Sequence, residues 1–421
     1  MGTKFTIDEQ AERATTGLQA FTDDLEAADG EAFICLTSRA TALNTITAQA
    51  EISWAVGRGS ASELGCTSSN EDAVGTTNTQ YQQNVSHVWR HHTIGTLTQE
   101  DSAAMDSRQT NGMQVDWVVA SGTQYRSIAG MFGPGGAGGN VLDVDIERID
   151  EATTAQDATF AVTGIGFKPQ AAIFFYGGAN TSHSDFRCGV GVAVDNGAGT
   201  DQKTLVILSD NGQAATSNDA QFRSGRCVDN INAGAAFNSW ELTSWDTDGV
   251  TITVREAGGA SKRVMTLFLR ANDWNFVCGQ YTIPTSGNIT VSSLGINPEF
   301  MLDVMSLIQS ADTFKVGTAE ASAIAITLNS LTEEFGVSVG STEGAGTTVA
   351  KSLTYSAKAA MLGDDPTAID VEGTTALGTD QWVRTMTNWP ATATLGLYIA
   401  GGRVPGKAGI TTNHVKRMQG N

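Results

Sequence analysis

Cysteine, histidine, positive charge and long apolar runs are all scarce in this chain, and each shortage removes a class of explanation. The five cysteines (Cys35, Cys66, Cys188, Cys227, Cys278) are odd in number and lack Cys-x-x-Cys spacing, which argues against a disulfide framework and a zinc site. Cys35 and Cys188 sit in apolar strand-like patterns and are expected to be buried free thiols; whether Cys188 and Cys227 meet is left open. Five histidines occur, three of them in His87-Val88-Trp89-Arg90-His91-His92. No Asp or Glu stands at ligand spacing beside them. On a strand, His87 and His91 share a face but lie ~13 Å apart, too far to hold one ion. The segment is therefore expected in a polar loop or at an interface.

Lys and Arg number 25 against 45 Asp and Glu, a net charge of -20, and such a surface repels a nucleic-acid backbone. No run reaches the ~18 apolar residues of a membrane-spanning helix. Met1-Gly2-Thr3-Lys4 opens into an acidic segment rather than a signal peptide's core. A cytosolic origin without membrane insertion is expected. There is no Gly-x-Ser-x-Gly elbow, no His-Glu-x-x-His, and no cysteine visibly coupled to a histidine. The carboxylate pairs Asp143/Asp145, Asp364/Asp365 and Glu333/Glu334 are of a kind common in any acidic chain, with nothing to fix a catalytic separation. The expectation is a non-enzyme, with no catalytic, cofactor-binding or metal residues.

What is abundant is glycine, at 47 residues, with many Ser, Thr, Asn and Ala and short apolar runs between them. That pattern indicates an all-β chain of sandwich domains with tight turns. It also repeats. Gly166-Phe167-Lys168-Pro169 precedes Ala171-Ala172-Ile173-Phe174-Phe175, and Gly295-Ile296-Asn297-Pro298 precedes Phe300-Met301-Leu302-Asp303-Val304, 129 residues later. The same offset carries Thr266–Ala271 onto Leu395–Ala400. A more divergent copy runs upstream through Ala32–Leu36, Ala50–Gly57 and Tyr125–Phe132, and Tyr81, Phe222 and Tyr355 close the polar middle of each copy. Ile173, Phe174 and Phe175 are equated with Met301, Leu302 and Asp303, with Asp303 alternating outward.

The expected order is an N-terminal arm or helix (1–30), three jelly-roll-like sandwich repeats (31–136, 137–287, 288–402) and a basic tail (403–421). The helix rests on Ala11, Ala14, Leu18, Phe21 and Leu25 at three- and four-residue steps within Ile7 to Ala28, with Asp8, Glu9 and Glu12 in its first turn. It suits either an arm on a neighbouring subunit or a lid on its own domain. Gly133–Gly139 is a glycine-rich joint; the strand-like Val141–Ile149 after it argues against a phosphate loop. Trp245-Asp246-Thr247-Asp248-Gly249 reads as a hydrogen-bonded hairpin turn, since a calcium loop needs further oxygen ligands. Trp117, Trp245 and Trp382 fall at comparable places before the last strand of their units and are assigned to core or inter-sheet positions; Trp89, Trp240, Trp274 and Trp389 are less repeated and open to exposure on a sandwich rim, with core packing the favoured reading. The tail carries Arg403, Lys407, Lys416 and Arg417 without an acidic side chain, which suits docking on an acidic neighbour.

At Val162–Pro169, Trp245–Ile252 and Ile283-Pro284-Thr285-Ser286-Gly287-Asn288 the chain resembles repeat-built virion proteins of tailed bacteriophages. The resemblance implies a non-enzymatic capsid-decoration or tail component in the virion, assembled in the host bacterial cytoplasm. Its partners would be other virion proteins and copies of itself, in a homo-oligomer. A host-surface glycan receptor role is the alternative.

Overall fold

A computed structural model describes residues 2–23, 25, 31–58, 62–94, 98–133, 142–151, 155–177, 182–232, 235–258 and 263–405. Its strands form three seven-stranded inner sheets and three four-stranded outer sheets, with every recorded pairing antiparallel. The all-β class follows from short apolar runs punctuated by Gly, Asn and Asp. Among the described residues no helix is long and apolar enough to cross a membrane.

The first inner sheet runs Lys4–Ala11, Arg126–Gly133, Ala32–Ser38, Ala50–Arg58, Ser62–Asn70 and Thr79–Asn84. The same order recurs from Leu142–Asp150 to Asn218–Arg223 and from Asn275–Ile283 to Ala350–Ser356. Four consecutive strands of each inner sheet form a meander, and so do three of each outer sheet. This corrects the jelly-roll expectation, in which successive strands alternate between sheets. Tyr81, Phe222 and Tyr355 fall on the sixth strand of the three inner sheets and are fully buried.

Both faces of the central strands of every inner sheet are covered. One packs on its outer sheet, as Phe174, Trp240 and Ile252 show in the second pair. The other joins a central core fed by all three inner sheets, including Trp54, Ile173, Val192, Leu302 and Ile326. Phe5, Phe132 and Phe300 meet there with ring centroids 4.7–4.8 Å apart. The backbone approaches so closely that a Cβ on Gly130 would lie 2.8 Å from both Leu328 and Phe5.

Two devices close the three inner sheets into a ring. Each sheet takes its seventh strand from another sheet pair: Ser182–His183 on the first, Lys315–Val316 on the second and Thr47–Ala48 on the third. The hairpin loops at 71–78, 210–217 and 342–349 also exchange backbone hydrogen bonds in a cycle. Thr77 pairs with Gln213 and Gly212, Thr216 with Ala345 and Gly344, and Thr348 with Val74 and Ala73, at 2.7–3.1 Å.

Several expectations are corrected. Among its described residues the segment Ile7 to Ala28 holds strand, within Lys4–Ala11 and Gly17–Thr22, rather than a helix. Residue-by-residue pairing of Lys4–Ala11 with Arg126–Gly133 supplies its backbone partners, and this tertiary ladder overrides a weak helical period. Residues 1–30 thus hold two strands of the first sheet pair and are no detached arm. The 287/288 boundary falls inside the third sheet pair, because Asn275–Ile283 lies along the full length of Thr394–Arg403. Ile173 and Phe175 share the central core with Leu302 and Val304, so Ile173 matches Leu302 and the equivalence with Met301 is one residue out. Asp303 faces the outer sheet and is fully buried, since its own strand, Asn297–Ser306, is covered on both faces. All five cysteines are free; Cys188 points into the central core and Cys227 into the second sheet pair. The glycine-rich joint at 134–141 and the basic segment from 406 lie outside the described residues, and Arg403 ends the last strand, bonded to Glu299 and Asp273.

Candidate functional site

The Gly-x-x-Pro anchors hold hairpin turns. Gly166 and Gly295 take φ of +84° and +71°, a region that favours glycine. Asp248 accepts the Gly166 N–H at 2.5 Å, and Asp380 accepts that of Gly295 at 2.6 Å. Asp248 therefore ties an outer-sheet turn to the entry of the inner sheet. Asp246 is occupied by the hydroxyls of Ser244 and Thr251, as the turn reading required.

The most concentrated chemistry lies around His91, on Trp89–Thr93 at the edge of the first outer sheet. A register shift between His91 and His92 turns both imidazoles inward, and both are buried. His91 Nε2 stands 3.0 Å from Glu12 Oε1, while Nδ1 meets Glu51. Glu12 also accepts the Ser127 hydroxyl at 2.5 Å. Arg39 supplies a second cation, 3.6 Å from Glu51 and 2.9 Å from Glu100, with its guanidinium 5.2 Å from the Tyr125 ring centroid.

Burial alone would depress the His91 pKa, but the charges of Glu12 and Glu51 outweigh it and raise the pKa to about 10. Glu51 moves the opposite way: burial opposes its ionisation, and His91 and Arg39 hold its pKa below the ordinary value. His92 is pushed down to about 4, first by burial and then by the cations Arg90, His91 and Arg39, against the pull of Glu51. The result is a carboxylate–imidazolium–carboxylate array with both ring nitrogens engaged. Fully enclosed, it acts as a clamp between the end of the first strand, the inner sheet and the outer-sheet edge. Among the described residues, neither of two hollows, one of about 10 Å3 where the three inner sheets meet and one of about 110 Å3 in the third sheet pair, is lined by it.

The third sheet pair has its own buried ion pair. Arg384 Nη2 lies 2.7 Å from Asp303, and Tyr281 donates its hydroxyl to the same carboxylate at 2.6 Å. In the second pair, Arg223 bridges Asp229 at 3.2 Å and Glu256 at 2.7 Å.

Other candidates disperse. Asp143 pairs with Arg270 and Asp145 with Arg58. Glu334 accepts the Thr375 N–H. Trp117 and Trp382 are buried on outer-sheet strands, whereas Trp245 is half-buried on the strand before its hairpin. Trp89, Trp240 and Trp274 are buried, in line with core packing, and Trp389 is 37% exposed. The His91 partners were missed because they lie 40 and 79 residues away. For the loop ring a signal exists: Gly75-Thr76-Thr77 recurs as Gly346-Thr347-Thr348.

No family model matches the chain, and no curated protein does. Among solved structures, an anion-selective porin from Comamonas acidovorans is 10% identical over 95% of this chain and 98% of that one, with a TM-score of 0.11, and so weak a likeness carries no argument.

Proposed function

We propose that the chain is three tandem β-sandwich repeats forming a non-enzymatic structural component of a bacteriophage particle. It binds other virion subunits and copies of itself on the exterior of the capsid or tail. The observation that carries this reading is the closed ring of three sheet pairs, joined by lent strands and interlocked loops. Such a body presents three similar lobes in fixed geometry, so several weak contacts can act together with high avidity. The best-formed titratable cluster, around His91, is spent on internal clamping.

Quantitative mass spectrometry of purified particles from cells carrying this gene tests the proposal. Hundreds of copies per particle indicate a capsid or tube lattice and a few tens an appendage; absence from particles overturns it. The exposed Trp389 ring, fixed by its indole N–H on the Gly287 carbonyl at 2.7 Å, favours a second reading, binding to a host-surface glycan. A glycan array with wild type and Trp389→Ala checks that reading.

A further inference from the structure

Asn-Gly occurs three times in the chain, at Asn111-Gly112, Asn196-Gly197 and Asn211-Gly212, and the last two share the longer sequence Asp-Asn-Gly. Glycine after asparagine leaves the backbone nitrogen free to approach the side-chain amide, because no Cβ stands in the way. Local sequence therefore treats Asn196 and Asn211 alike. The fold does not.

Asn196 lies exposed in the turn between the strands Phe186–Asp195 and Thr200–Ser209. Its Oδ1 accepts two backbone N–H groups, from Ala198 at 2.9 Å and Gly199 at 2.7 Å. Its Nδ2 donates to Asp201 at 3.1 Å. The Gly197 N–H donates to the Asp195 carboxylate at 3.0 Å, and Lys168 pairs with the other oxygen of that carboxylate at 2.8 Å. Partial burial opposes ionisation of Asp195, but Lys168 and the Gly197 N–H outweigh it and hold its pKa below the ordinary value. A base thus sits on the nitrogen that must lose a proton, and two donors sit on the oxygen that must gain charge, an arrangement that promotes acyl transfer.

The other two sites are engaged differently. Gly212 gives its N–H to the Thr77 carbonyl at 2.8 Å, and Asn211 Oδ1 accepts the Thr79 N–H at 2.9 Å, so this pair is locked into the loop ring. Gly112 is buried and laddered between Gln109 and Thr22, where a Cβ would stand 2.0 Å from the Phe21 carbonyl oxygen.

We propose that Asn196 is a site of self-catalysed succinimide formation, converting in the folded chain to aspartate and isoaspartate. Asp195 takes the Gly197 amide proton as that nitrogen bonds to Asn196 Cγ, and the Ala198 and Gly199 N–H groups hold the resulting oxyanion. The Cγ–Nδ2 bond then breaks, and the proton passes through solvent to the leaving nitrogen, which departs as ammonia. Water opens the succinimide ring at either carbonyl. The product carries an added negative charge at an exposed turn, between Asp195 and Asp201, where the amide had donated. This chemistry needs no partner and is independent of the assembly reading.

Peptide-mapping mass spectrometry of the purified chain, kept folded or unfolded in urea at neutral pH, reads the amide-to-acid mass gain at each asparagine. In the folded chain Asn196 converts ~10-fold or more faster than Asn111 and Asn211, and faster than it does in urea, where Asn196 and Asn211 convert at similar rates. Asp195→Asn keeps an acceptor for the Gly197 N–H but removes the base, and slows conversion of Asn196 by ~10-fold or more. The folded wild-type rate varies little between about pH 6 and 8, since Asp195 stays ionised, while the rate in urea climbs with hydroxide. The proposal is overturned by an unchanged rate in Asp195→Asn, by folded Asn211 converting as fast as Asn196, or by Asn196 converting no faster folded than unfolded. The last two comparisons use wild type alone and hold even where the variant fails to fold.

Discussion

Replacing His91 by leucine removes the cation between Glu12 and Glu51, both at most 1% exposed, and leaves two carboxylates buried together. Breaking a buried ion pair from one side costs ~3–5 kcal/mol. With an unfolding entropy of ~2.1 cal/mol/K per residue over 421 residues, that corresponds to ~3–6 °C in melting temperature if the chain unfolds as one body. The pH dependence is more discriminating. The folded pKa of about 10 lies above the ordinary imidazole value of 6.5, so the stabilisation is complete below the lower value and is lost as pH rises through the upper one. In the variant, acidification neutralises the stranded carboxylates and restores stability. The deficit against wild type is therefore greatest near neutrality and shrinks toward both pH 10 and the acid range. Urea unfolding by circular dichroism at several pH values measures it. A deficit below ~1 kcal/mol, or one that stays flat across that range, refutes the clamp.

Asp248→Ala and Asp380→Ala each release a glycine N–H at a turn, and each should lower stability by ~1–2 kcal/mol in denaturant unfolding; wild-type midpoints would remove the turn role. Glu63 accepts the Met105 N–H at 2.7 Å, yet burial raises its pKa to about 7 from 4.5. The folded state then holds a proton that the unfolded state has lost, so Glu63 erodes stability as pH rises from 4.5 through 7. Glu63→Gln should flatten this slope between pH 5 and 8, and an identical slope contradicts the assignment. Met265 Sδ lies 3.6 Å from Cys66 Sγ in the central core; Met265→Ala should cost ~2–5 kcal/mol, and an unchanged urea midpoint would argue against tight packing there.

The all-β class was legible because its cause is local: strand-length apolar runs bounded by Gly, Asn and Asp. The Gly166 and Gly295 anchors were legible for the same reason, each being tied to a turn that demands positive φ. The helical spacing from Ala11 to Leu25 misled because a distant strand, Arg126–Gly133, decides the conformation of Lys4–Ala11. Asp303 misled because alternation shows that two faces exist but not that both are covered. The lent strands Thr47–Ala48, Ser182–His183 and Lys315–Val316 are two residues long, too short to carry a period. The Glu12–His91–Glu51 array joins residues brought together only by the fold.

Differential scanning calorimetry of the whole chain tests most directly whether the three sheet pairs form one body. A shared central core and a closed ring of loops predict a single endotherm whose calorimetric and van't Hoff enthalpies agree. Two or three separable transitions, or a calorimetric enthalpy several times the van't Hoff value, would contradict the account.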